Sequence, residues 1–215
     1  MVAYKLCDRD HDCNTCPFDK AMRGESGDQV TEEPFFSLDF GKFYHPKHLW
    51  VKIDGPGKIT VGIDRFLAAL VPKIKAVVLP KTGDMFLKDE TFCHIIEERG
   101  IAPLPSPVSG TILSTNSLLR SKPQLLIQDP EKDGYLLKMK PENVEKDIKN
   151  LYSGKGAISW LKKEEKKLIE LLSSFSEYPT LGETMHDGGV FSPSTIGAVN
   201  EKDYQVIIET FFGRS

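Results

Sequence analysis

Between Thr91 and Gly110 the chain spells out one hairpin. An apolar run, Thr91-Phe92-Cys93-His94-Ile95-Ile96, meets a charged tip, Glu97-Glu98-Arg99-Gly100, and returns through Ala102 to Ser106-Pro107-Val108-Ser109-Gly110. Short β-branched and aromatic runs bounded by turn residues read as strands. The same punctuation recurs at Ile59 to Ile63, Ala76 to Leu79, Gly110 to Leu113 and Gly134 to Met139, each closed by Gly, Pro or Asp. Two stretches echo one another as strand followed by turn, Ala76 to Gly83 and Gly110 to Ser117. Two interlocked copies of one hairpin unit would give two facing sheets. Asp64 to Leu70 reads as a short helix with Phe66, Leu67 and Leu70 on one face, and Pro141 to Leu151 as another with Val144, Ile148 and Leu151 at helical spacing.

Five of these segments carry a family resemblance. Tyr44-His45-Pro46-Lys47-His48-Leu49-Trp50-Val51 is similar to the opening strand of the glycine cleavage system H protein, with Leu49 where an acidic residue is usual. Thr60 to Ile63 resembles the strand leading into that family's first helix, and Leu79-Pro80-Lys81-Thr82-Gly83-Asp84 its LPxxGD turn. Ser106 to Gly110 matches its SPVSG, and Gly134-Tyr135-Leu136-Leu137-Lys138-Met139-Lys140-Pro141 resembles its GWLxKxxP strand. The resemblance implies a mainly β domain (α+β over the whole chain), a lipoyl-like barrel-sandwich hybrid. It also implies a carrier whose hairpin tip presents a lysine for lipoyl attachment.

That lysine is missing. No lysine occurs between Lys88 and Lys122, and counting back seven residues from Ser106 puts Arg99 at the attachment position, flanked by Glu97, Glu98 and Gly100. A one-residue slip would place Glu98 or Gly100 there, and neither is a lysine. A guanidinium cannot stand in for the amine, because its pKa above about 12 leaves almost no neutral nucleophile near pH 7. The expectation is a chain without lipoate, whose tip is either a surface read by a partner or a solvated charged turn.

Three regions differ in composition: a cysteine-bearing arm and linker over 1–35, the β domain over 36–153, and a helical extension over 154–215. In the extension, Ile158, Leu161, Leu168, Leu172 and Phe175 share a helix face opposite Lys162, Lys163, Glu164, Lys166 and Lys167. Met185 to Gly189 reads as a turn. Asn200 then caps a last helix with Tyr204, Ile207, Ile208 and Phe211 at i, i+3, i+4 and i+7. The expected arrangement packs Ile207 and Phe211 against the β domain and leaves Lys166 and Lys167 in solvent.

The arm places Cys7, His11, Cys13 and Cys16 within ten residues, with Pro17 after the Cys-x2-Cys pair. Thiolates so spaced can grip one zinc ion or an iron–sulfur centre from a tight turn. Ligation by all four over so short a loop is sterically demanding. Ligands from a second chain, a Cys13–Cys16 redox pair and free thiols are the alternatives, and Cys93 is a more distant candidate ligand.

The remaining features exclude classes. A net charge of −3 supplies no basic field for nucleic acid, and no apolar run approaches the roughly 20 residues that span a bilayer. The sequence suggests a cytoplasmic protein. His45 and His48 read as structural or surface residues, and His94 points away from Cys93 across its strand. No Ser/His/Asp or Cys/His nucleophile, paired carboxylates or phosphate loop is present, so no catalytic residue is assigned. The leading expectation is a non-enzymatic docking or scaffold protein that has lost lipoylation and engages another protein, with homo-oligomers open to it. A metal- or iron–sulfur-binding accessory or electron-transfer subunit, and a carrier using a non-standard attachment residue, are the alternatives.

Overall fold

The computed structural model describes residues 34–175 and 193–213. In chain order its elements are β1 (Phe43–Tyr44), β2 (Leu49–Gly55), β3 (Lys58–Ile63), α1 (Arg65–Leu70), β4 (Ile74–Val78), β5 (Met85–Phe86), β6 (Thr91–Glu97), β7 (Gly100–Pro105) and β8 (Gly110–Thr115). There follow α2 (Leu118–Ser121), α3 (Leu125–Gln128), β9 (Leu137–Pro141), α4 (Val144–Ile148), α5 (Gly154–Ser174), α6 (Pro193–Ala198) and α7 (Glu201–Phe212). The strands form a six-stranded sheet in the order β1-β2-β3-β9-β8-β5 and a three-stranded sheet in the order β4-β6-β7. The echoed strands β4 and β8 therefore lie in different sheets.

Alternation decides which faces meet. In the smaller sheet Val77, Ile95 and Ala102 stand opposite one another on the buried face. Val51, Val61 and Leu137 do the same in the larger sheet, each at 0% exposure. Gly62 is fixed by a close approach: the Trp50 indole lies across it, and a Cβ would fall 2.3 Å from that ring. The indole N–H donates to the Ile63 carbonyl at 2.7 Å, so the ring is satisfied inside the core.

The β signal continues without interruption into the helices. One apolar cluster runs from the sheets through Trp160, Leu161, Leu168 and Leu172 of α5 to Ile196, Tyr204, Ile207 and Phe211. Ile207 and Phe211 are buried as expected, and Lys166 and Lys167 are exposed. The buried face of α5 is centred differently from the expected one: Ile158 is only half-buried, while Ala157 and Trp160 go inside and Tyr152 stacks on Trp160 with centroids 5.0 Å apart.

The expected opening strand is broken. Its two ends are β1 and β2, and between them His45 to His48 make a turn closed by His48 N–H donating to the His45 carbonyl at 2.9 Å. Proline cannot donate to a ladder, so Pro46 supplies the break. Helix α4 is also shorter than the expected 141–151 span. The expected turn at Met185 to Gly189 lies outside the described residues.

Candidate functional site

The β6–β7 hairpin pairs Glu97 with Gly100, which leaves Glu98 and Arg99 as the tip. Of the two, only Glu98 is exposed. The Arg99 side chain retains 9% exposure and that of Glu97 1%. Nη2 of Arg99 donates to Glu97 Oε1 at 2.8 Å, and the Arg99 backbone N–H donates to Oε2 at 2.7 Å. Nη1 crosses to the last turn of α6, donating to the carbonyls of Ile196 at 2.8 Å and Val199 at 2.9 Å. The Ile196 carbonyl also accepts from the Val199 N–H at 3.3 Å, and both carbonyls lie at the negative end of α6, where a cation is favoured.

Helix α7 closes the clamp. Tyr204 lies under the guanidinium, its ring centroid 3.7 Å from Cζ, and its hydroxyl donates to the Leu70 carbonyl at 3.0 Å. The Gln205 side-chain amide donates to the Arg99 carbonyl. Glu97 accepts in turn from the Lys73 backbone N–H at 3.2 Å. The Arg99 side chain is thus covered by α6 and α7, while Glu98 beside it stays exposed. Burial of Ile196, Val199, Ile207, Ile208, Phe211 and Phe212 holds the two helices there, each side chain contributing roughly 1.5–3 kcal/mol on transfer from water.

A second buried polar centre joins three elements. His48, at 0% exposure and φ 63°, donates from Nδ1 to Asp64 Oδ2 at 2.8 Å, while Asp64 Oδ1 caps α1 by accepting from Leu67 N–H at 2.8 Å. Its ring stacks on Phe66 at 4.1 Å and leans on Trp160 at 4.8 Å, and Nε2 faces Glu164 Oε2 of α5 at 3.8 Å. Burial alone would depress the imidazole's pKa, but the Asp64 and Glu164 carboxylates outweigh it and hold it above its ordinary value. Burial would likewise raise Glu164, and the His48 cation outweighs it, so Glu164 lies below its ordinary value. His48 is therefore structural, as its position in the sequence suggested, but as an ionic centre of the core rather than a surface group.

No group of three or more His, Cys, Asp or Glu side chains among the described residues could hold a metal ion. Cys93 is fully buried and burial pushes its thiol pKa up, as in a packed core thiol. His94 lies on the opposite, half-exposed face. His45 pairs through Nε2 with Asp89 at 3.0 Å. Cys7, His11, Cys13 and Cys16 lie outside the described residues. No described helix is long and apolar enough to cross a membrane.

The architecture and the hairpin agree with what known proteins show. The family model described as Glycine cleavage H-protein matches residues 42–164, more than half of the chain. The chain belongs to the glycine cleavage H-protein family. A probable glycine cleavage system H protein of Pyrococcus furiosus is 27% identical over 127 residues, spanning 59% of this chain and 94% of that one. One from Saccharolobus solfataricus is 31% identical over 138 residues, spanning 64% of this chain and 89% of the relative. The crystal structure of a glycine cleavage system H protein from Mycobacterium marinum superposes with a TM-score of 0.53 at 20% identity, covering 60% of this chain and 99% of that one. This likeness extends to the fold. The family match ends at residue 164, inside α5, so both C-terminal helices that cover the hairpin tip lie beyond it.

Proposed function

We propose that this H-protein family member carries no lipoate and acts, without catalysing a reaction of its own, as a docking or scaffold protein for another protein. The observation that supports the absence of lipoate is Arg99, and the family's engagement of other proteins is what supports docking. Arg99 stands seven residues before Ser106, where the family resemblance puts the attachment lysine, and its guanidinium is spent on Glu97, the end of α6 and the ring of Tyr204. A carrier needs an amine that swings free in solvent. This tip offers a delocalised cation, nine-tenths covered, and no lysine for ten residues on either side.

Intact-mass measurement after coexpression with a lipoyl ligase tests the first half of the proposal. The expected mass is that of the bare chain, and a lipoyl increment on any residue from 92 to 106 would overturn it. Arg99→Lys is also expected to stay unmodified, because the new amine would lie beneath α6 and α7. The docking half is tested by native mass spectrometry with the purified partner proteins of a glycine cleavage system. A defined complex supports it, and its absence removes that set of partners.

A second reading gives the arm the active part, as a metal- or iron–sulfur-binding accessory. Its support is the Cys13-x2-Cys16-Pro17 spacing, with Cys7 and His11 nearby.

A further inference from the structure

Helix α5 turns a lysine face to solvent. At 100° per residue, Lys155, Lys162 and Lys166 fall on one line of the helix and Lys163 on the next. All four are exposed or half-exposed. The helix's own acids offset Lys162 and Lys166 in part and, among the described residues, leave Lys155 and Lys163 without an acidic partner. Glu164 is turned to His48, Glu165 is buried and accepts from the Phe36 backbone N–H at 2.9 Å, and only Glu170 stays outside, 3.8 Å from Lys166.

The bond from Phe36 to Glu165 also fixes where the preceding chain arrives. Glu165 lies one helical turn from Lys162, which bears electrostatically on it. Residues 24–33 lead up to this point. They contain Glu25, Asp28, Glu32 and Glu33, and no lysine or arginine occurs between Arg23 and Lys42. An extended backbone covers about 3.3–3.6 Å per residue, so Glu33 cannot stray more than about 11 Å from the Phe36 anchor. Ten such residues span roughly 33 Å, ample for a stripe that runs about 17 Å from Lys155 to Lys166 at 1.5 Å per residue.

We propose that the acidic segment Glu25–Glu33 docks in cis along the Lys155–Lys162–Lys163–Lys166 face of α5, seating the cysteine-bearing arm on the helical extension. Single exposed ion pairs are weak and salt-screened. Here the tether keeps the carboxylates at a high effective concentration beside the amines, so several weak pairs act together. This inference stands apart from the loss of lipoate and would hold for a carrier equally well.

Zero-length carbodiimide coupling of carboxylates to amines tests it on the full chain, with isotopically mixed chains separating links within one molecule from links between two. At low salt, links within one chain are expected from Glu25, Asp28, Glu32 or Glu33 to the four lysines. They should fall about fivefold or more near 1 M salt, where the screening length shrinks to about 3 Å. As a second measure, the full-length variant E25Q/D28N/E32Q/E33Q should acetylate these lysines at least about twofold faster than the native chain, in line with release of bound carboxylates. Links that occur only between chains would assign the face to a second copy and overturn the proposal. Unchanged lysine reactivity in the amide variant, or links that avoid residues 25–33, would overturn it equally.

Discussion

Two buried ionic centres fasten the helical extension to the β domain, and they use opposite kinds of cation. At the hairpin tip the cation is Arg99, permanently charged, shared between a carboxylate, two helix-end carbonyls and an aromatic face. At the β1–β2 turn it is His48, stacked between Phe66 and Trp160 and charged only if it holds a second proton. The first centre secures α6 and α7, the second α5. An arginine pins its helices at any physiological pH, whereas a histidine makes its attachment depend on pH. The contrast bears on the proposed function, since Arg99 is the residue that the proposal sets at the attachment position, and it is fastened without a switch.

The largest expected effect comes from cutting the arginine centre. Arg99→Ala leaves Glu97 buried without its cation and takes a charged donor from the Ile196 and Val199 carbonyls, so chemical denaturation should show a loss of about 3–5 kcal/mol. Removing both charges as Arg99→Met with Glu97→Gln should recover a good part of that loss, because an uncompensated buried carboxylate no longer remains. If the double variant is as unstable as Arg99→Ala, the guanidinium's contacts with α6 and Tyr204 dominate over the ion pair.

Next comes His48→Gln, which keeps a donor but removes the charge and the stacked ring. Asp64 then keeps one good partner, the Leu67 N–H, and a loss of about 1–3 kcal/mol is expected by denaturant titration. A loss as large as that of Arg99→Ala would show that the two centres carry equal weight.

The pH dependence separates the two centres more sharply than their size. His48 has its folded pKa raised, so its contribution is fully present below the ordinary histidine value and fades as pH rises through the higher folded value. Glu164 has its pKa lowered, so its contribution is present above the ordinary carboxylate value and fades in acid. Thermal unfolding should therefore be most resistant in the mildly acidic range between these two and decline toward alkaline pH. His48→Gln should flatten the alkaline decline and Arg99→Met should leave it intact. A decline of equal slope in His48→Gln would assign it to another group.

The two centres were unequally legible in the sequence. Counting back from Ser106 led to Arg99, and Arg99 does stand at the hairpin tip. What Arg99 does could not be read, because Ile196 and Val199 lie about a hundred residues away and a backbone carbonyl leaves no mark in a sequence. His48, Asp64 and Glu164 meet only through topology, although the Asp64 cap on α1 follows from local chemistry alone. Helix α7 was readable because its period and the Asn200 cap are local signals. Helices α2 and α3, four residues each, are too short to show a period. The break in the opening strand had a signal in Pro46, but the family resemblance of the flanking residues favoured one continuous strand.

The smallest stability effect is expected in the arm. Cys13→Ser with Cys16→Ser should change the unfolding free energy by no more than about 0.5 kcal/mol, the usual range for substitutions outside a core. The apolar cluster of the described residues runs from Phe36 to Phe212. If Cys7, Cys13 and Cys16 hold a metal, the same double variant should lose it, because the thiolates are the ligands and an alkoxide does not form at serine near pH 7. Elemental analysis of anaerobically purified chain, with visible absorption for an iron–sulfur centre, reads this directly. Loss of metal with an unmoved unfolding transition would mark the arm as a separate module seated on the H-protein-like body. A transition that falls together with the metal would mean that the arm's site helps to hold the domain, and the division between tip, turn and arm would have to be redrawn.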